Sequence, residues 1–121
     1  MKILVAEDDE GIREAISIAL QSQGYSTILT SNGQEALEWL EHQRNSSSEP
    51  PDLILSDIHM PFMNGIELFK MLKALKWKPI PFIFMTAQAH STQESAHSIK
   101  KPFELDLLLQ TIRTELENYE K

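Results

Sequence analysis

The sequence predicts an α/β fold in which helices cover both faces of a parallel sheet. Short apolar runs recur at residues 3–6, 53–55 and 82–85, each with the length and continuity of a strand buried on both sides. Between them lie longer stretches whose apolar residues recur at helical spacing. That alternation implies βαβ units, and right-handed crossovers leave few topologies for them.

Each element has its own signal. Ile3-Leu4-Val5-Ala6 is the first strand. Ile12, Ala15, Ile16, Ala19 and Leu20 fall on one helix face, and Gly24 reads as the C-terminal stop. Residues 25–30 are rich in β-branched and aromatic side chains, as a second strand requires. Ser31-Asn32-Gly33 is turn chemistry and a helix start, and Ala36, Leu37 and Leu40 continue that helix. Residues 45–51 are polar and end in two prolines, which predicts a surface loop. Leu53-Ile54-Leu55 is the third strand. Ile66, Leu68, Phe69, Leu72 and Leu75 form the stripe of a third helix. Pro79 and Pro81 have no N–H for a ladder, so the fourth strand should begin near Phe82. A short strand is expected around Ile99. Leu105, Leu108, Leu109, Ile112 and Leu116 then give the final helix a strong apolar face.

Composition narrows the function classes. The chain has 121 residues, the size of one domain (1–121), and at this length folding buries roughly two-thirds of the unfolded surface. A formal net charge of −7 argues against direct binding to nucleic acid or to anionic membranes. Without cysteine there is no disulfide framework, thiolate metal site or catalytic thiol. No apolar run approaches the roughly 20 residues of a membrane span, and the N-terminal apolar stretch is too short for a signal peptide. The expectation is an acidic, cytoplasmic, single-domain protein.

In a parallel sheet the C-terminal ends of all strands share one edge, and ligands bind there. The residues that follow the strands are therefore the ones to weigh: Glu7 and Asp8, Asp57, Thr86 and Lys101. Singly, each has a bland explanation. Acids suit a helix N-terminus, Asp caps turns, Thr forms strands, and a lone Lys is usually solvated. Jointly they do not, because no packing need places that set after successive buried strands. If the first and third strands are neighbours, three carboxylates meet, and like charges that close raise one another's pKa. A hard divalent cation such as Mg²⁺ resolves the conflict through oxygen ligands. A carboxylate beside it can act as a nucleophile toward phosphorus. Lys101 would offer positive charge to phosphoryl oxygens and Thr86 a hydroxyl donor.

The blocks Ile3-Leu4-Val5-Ala6-Glu7-Asp8-Asp9, Ser56-Asp57-Ile58-His59-Met60-Pro61, Met63-Asn64-Gly65, Met85-Thr86-Ala87 and Lys101-Pro102-Phe103 resemble the receiver domain of two-component response regulators, over the whole chain and in order. The resemblance implies a doubly wound, flavodoxin-like five-stranded parallel sheet of order 2-1-3-4-5. It implies that Asp57 is the phosphoacceptor, assisted by Thr86 and Lys101. It implies that Asp8 and Asp57 bind Mg²⁺ directly, Glu7 through water and His59 through its backbone carbonyl, and that the Lys101–Pro102 peptide is cis. Counted back from Arg13, Glu7 and Asp8 fall in the family register, which leaves Asp9 as a first-turn helix residue. A histidine kinase or phosphotransfer protein would supply the phosphoryl group, and a downstream protein would read it. Such a domain is a phosphoacceptor that assists its own phosphoryl transfer, not an enzyme with a turned-over substrate. Because Met1 precedes the first strand and the last helix closes the chain, a stand-alone receiver is expected; the receiver part of a longer DNA-binding regulator is the alternative.

Two departures from the family pattern stand out. Thr86 and Lys101 are only fifteen steps apart, about two helical turns short of the usual spacing. Residues 87–97 contain no Leu, Ile, Val, Met or Phe to anchor a helix face, so the crossover helix between the fourth and fifth strands is expected to be short or missing. A trimmed crossover would expose an apolar flank near Phe82, Phe84 and Ile99, suited to a partner or a homodimer. The second departure is Ser98, which stands where the family has an aromatic residue that follows the Thr hydroxyl on phosphorylation. Its loss, with the short crossover, keeps a phosphorylation-independent docking module as a rival function. An Asp-nucleophile phosphatase would want an acid at position 59, where His59 stands, and a flavin site would want a Ser/Thr/Gly-rich loop in place of Glu7-Asp8-Asp9-Glu10. His42, His59, His90 and His97 have no metal-ligand spacing. Lys70, Lys73, Lys76 and Lys78 read as a solvated face near a helix C-terminus.

Overall fold

The computed structural model of the chain describes residues 1–87 and 96–119. The elements run β1 (Lys2–Ala6), α1 (Glu10–Ser22), β2 (Ser26–Thr30), α2 (Gly33–Asn45), β3 (Leu53–Asp57), α3 (Gly65–Ala74), β4 (Phe82–Thr86), β5 (Ala96–Lys100) and α4 (Leu105–Tyr119). All strand pairs are parallel, in the order β2-β1-β3-β4-β5. The predicted topology is the one observed. Among the described residues no helix is long and apolar enough to cross a membrane.

The period of two sorts each strand onto two cores. Leu4, Ala6, Ile54, Phe82 and Phe84 face α2 and α3, where Ala36, Leu40, Leu68, Phe69 and Leu72 cover them. Ile3, Val5, Leu53, Leu55, Ile83 and Met85 face α1 and α4, under Ile16, Leu20, Leu108, Ile112 and Leu116. The central strands β1, β3 and β4 are therefore apolar on both sides, whereas β2 at the edge is only partly buried.

The helix boundaries follow capping chemistry. Asp9 is the N-cap of α1, its Oδ1 accepting from the Ile12 N–H at 2.9 Å. It therefore lies just outside the first turn rather than in it, and its extended backbone frees the carboxylate to cap. Asn32 caps α2, and Asn64 with Glu67 forms a capping box at α3. Gly24 takes φ +87° just past α1, in keeping with its reading as the stop.

One expectation needs correcting. Phe82, Phe84 and Ile99 do not share a flank, and all three are buried. In the β4–β5 register Ile99 pairs with Met85 while Phe84 pairs with Ser98, so Ile99 joins the α1/α4 core and the phenylalanines join the other. Phe69 of α3 packs edge-on against both rings, at 5.1 Å from Phe82 and 5.7 Å from Phe84. Phe69 of the neighbouring helix thus lies against both rings, and Phe82, Phe84 and Ile99, all buried, offer no apolar patch to a second copy. The expectation of a short or missing crossover helix concerns residues 88–95 and lies outside the described residues.

Candidate functional site

The sheet order sets the site. Ala6 pairs with Ser56 and Asp57 with Met85, so the chain leaves β1 at Glu7 beside the last residue of β3. Oxygen atoms of Glu7, Asp8 and Asp57 lie within 4.8 Å of one another. Glu7 and Asp57 are buried and Asp8 is exposed, so the cluster opens to solvent on one side.

Lys101 enters from the far side. It follows β5, and its backbone N–H donates to the Thr86 carbonyl at 2.7 Å, which extends the ladder by one residue. Its ammonium donates to Glu7 Oε1 at 2.7 Å and to Asp57 Oδ2 at 3.0 Å. The Lys101–Pro102 peptide is cis. Burial opposes the charge on Lys101, but the two carboxylate bonds outweigh it and hold its pKa above the ordinary lysine value. For Glu7 the balance falls the other way. Burial, helped by the Asp57 charge, pushes its pKa up against the opposing bonds from Lys101 and the Asp9 N–H.

The turns around the cluster are held closely. Glu7 Oε2 accepts from the Asp9 N–H at 3.0 Å, and the Glu7 carbonyl accepts from Arg13 Nη1 at 2.8 Å. Ile58 N–H donates to the Met85 carbonyl at 3.1 Å and Gly65 N–H to the Ile58 carbonyl at 2.9 Å, which fixes both ends of the turn that carries His59. Gly65 leaves no room for a side chain, since a Cβ there would sit 2.3 Å from the Asp57 carbonyl oxygen. The start of α3 packs directly on the backbone of Asp57.

The sequence-predicted residues Glu7, Asp8, Asp57 and Lys101 thus converge. Thr86, the buried last residue of β4, lies one register step from them, and its carbonyl meets Lys101. The His59 side chain is exposed. A hard divalent cation fits this donor set, which is all oxygen, partly buried and crowded with negative charge.

A model of the response regulator receiver domain matches residues 3–113. The chain belongs to the response regulator receiver family. This receiver is 33% identical over 119 residues to sporulation initiation phosphotransferase F of Bacillus subtilis, covering 93% of this chain and 90% of that protein. It is 33% identical to the DNA-binding transcriptional regulator NtrC of Escherichia coli, covering 98% of this chain but 25% of that protein. It is 32% identical to the response regulator MprA of Mycobacterium leprae over 93% of this chain, spanning half of that regulator's length. Among solved structures, a CheY-like receiver from Methanospirillum hungatei matches with a TM-score of 0.80 at 29% identity, covering 98% of this chain and 95% of that one. Chemotaxis protein CheY4 of Vibrio cholerae matches with a TM-score of 0.78 at 27% identity, over 93% of this chain and 96% of that one. Receiver domains are signalling domains, work with histidine kinases or phosphotransfer proteins, and as a family bind Mg²⁺.

Three features of the receiver were not picked out from the sequence. Arg13 served only as a register mark, yet it holds the Glu7 carbonyl. Its position six residues on, at the first full turn of α1, was the available signal. The shared grip of Lys101 on two acids depends on the tertiary fold alone, and so does the fit of Gly65 against Asp57.

Proposed function

We propose that residues 1–121 act as one receiver domain that accepts a phosphoryl group on Asp57 and signals through changed protein binding. The observation that carries this reading is the convergence of three carboxylates within 4.8 Å on a lysine that holds two of them. In the transfer, an Asp57 oxygen bonds to phosphorus while the bond from phosphorus to the donor's histidine nitrogen breaks, and its electron pair stays on the imidazole. Lys101 would hold a phosphoryl oxygen, and Thr86 would offer a hydroxyl donor at the end of the adjacent strand. Asp8 and Asp57 would hold the cation, with the His59 carbonyl. Glu7 would act through water, since Lys101 and the Asp9 N–H already engage its two oxygens. Bound Mg²⁺ would supply charge neutralisation for the phosphoryl oxygens. A cytoplasmic location and a histidine kinase or phosphotransfer protein as donor belong to the same reading.

Intact mass after incubation with Mg²⁺ and a small phosphodonor tests it. One phosphoryl adduct is expected, absent without the metal and absent in Asp57→Asn. Failure of the wild-type chain to gain the adduct would leave only phosphorylation-independent docking.

Coverage of the relatives favours a second reading of the context. The chain spans half of one regulator and a quarter of another, so it also fits the receiver part of a longer DNA-binding regulator.

A further inference from the structure

We infer that the groove at the C-terminal end of α3 is a docking site for an acidic peptide segment that carries one bulky apolar side chain. The groove encloses about 240 Å³ between Phe69, Trp77, Ile80 and Tyr119, with Lys73 and Lys78 on its rim. It lies where the chain enters β4, at the opposite edge of the sheet from Asp57, so an occupant leaves the acidic cluster free.

Three observations point to that occupant. The first is charge. Lys70, Lys73, Lys76 and Lys78 are all exposed, with no acid between them in sequence. Among the described residues none of the four has a carboxylate within ion-pairing distance. A helix C-terminus is served by one or two cations in its last turn, and Lys70 and Lys78 lie outside that turn. The second is the floor. Phe69 and Ile80 are buried, while Trp77 is half-buried and Tyr119 is 41% exposed. Aromatic walls that remain accessible beside cations are the composition of a binding surface, where Trp and Tyr anchor contacts. Lys73 already lies over the Phe69 ring at 5.2 Å, which holds one ammonium at the rim. The third is extent. The patch is small and the remainder of the chain is strongly acidic, given a net charge of −7 overall. A polyanion such as nucleic acid would run beyond the lysines onto repelling surface, whereas a short peptide would end within them.

The test is selection of a random dodecapeptide library against the full chain, followed by titration of a selected peptide in Mg²⁺-free buffer. Enriched sequences are expected to place Asp or Glu around a single Leu, Phe or Trp. The labelled peptide should bind saturably and perturb the Trp77 indole N–H signal. Lys73→Glu combined with Lys78→Glu should weaken binding at least about tenfold, because two attractions become repulsions, with the circular dichroism spectrum unchanged. A library that yields no binders, or yields basic or neutral ones, overturns the inference. So does binding that the double variant leaves intact, or an oligothymidylate of matched charge that binds more tightly than the peptide. Because the assay uses neither metal nor phosphodonor, its outcome is independent of the reading of Asp57.

Discussion

Lys101→Met separates the electrostatics of the site from its packing. The substitution keeps an apolar stem and removes the ammonium that lies 2.7 Å from Glu7 and 3.0 Å from Asp57. Removing one partner of a fully buried pair costs about 3–5 kcal/mol, because the other charge is left uncompensated. Here the Lys101 side chain is 22% exposed while Glu7 is 1% exposed, so screening trims the expected loss to about 2–3 kcal/mol at neutral pH. For a chain of this size that is roughly a 10 °C fall in melting temperature.

The loss should depend on pH with a definite sign. The folded-state pKa of Glu7 is raised above its ordinary 4.5. A raised carboxyl contributes stability below the unfolded pKa and loses that contribution as pH rises through the folded value. In the variant Glu7 loses a partner that lowers its pKa, so its window extends further upward. The gap between variant and wild type should open as pH rises through the wild-type folded value of Glu7, which lies above 4.5, and nearly close below it. Urea unfolding in chelator, followed by circular dichroism at a series of pH values, measures this. Equal stability at neutral pH, or a gap that does not change with pH, would refute the reasoning.

Other perturbations follow from the same geometry. Asp8→Asn removes the exposed member of the acidic cluster; it should stabilise the metal-free chain by about 0.5–1 kcal/mol and abolish the rise in melting temperature on adding Mg²⁺, read by thermal unfolding with and without the metal. Phe62 is 89% exposed and sits at φ +67°, so Phe62→Gly should relieve strain without uncovering a core, leaving stability unchanged or raised by up to about 1 kcal/mol in urea unfolding. Gly65→Ala should destabilise despite the better helix propensity of Ala, by about 2 kcal/mol or more, since its Cβ meets the Asp57 carbonyl at 2.3 Å; it should also slow adduct formation in the mass assay.

What could be read from the sequence alone was whatever is local or periodic. The runs at 3–6, 53–55 and 82–85 are continuous because those strands are covered on both faces, and that fact is written into each of them. Asn32 and Gly24 act within a few residues of themselves, so the start of α2 and the stop of α1 were legible. Glu7, Asp8, Asp57 and Lys101 were found because a parallel sheet gathers strand ends at one edge, so order along the chain becomes proximity in space. The tertiary structure alone decided what depends on register between distant segments. Strand pairing sends Ile99 to one core and Phe84 to the other, a parity that apolar character does not encode. Which acids Lys101 grips, how tightly Gly65 meets Asp57, and that Lys73 of α3 and Lys78 beyond it border an aromatic groove with Tyr119 of α4 all join residues far apart in sequence. Such contacts are fixed by the packing of whole elements, and no local pattern records them.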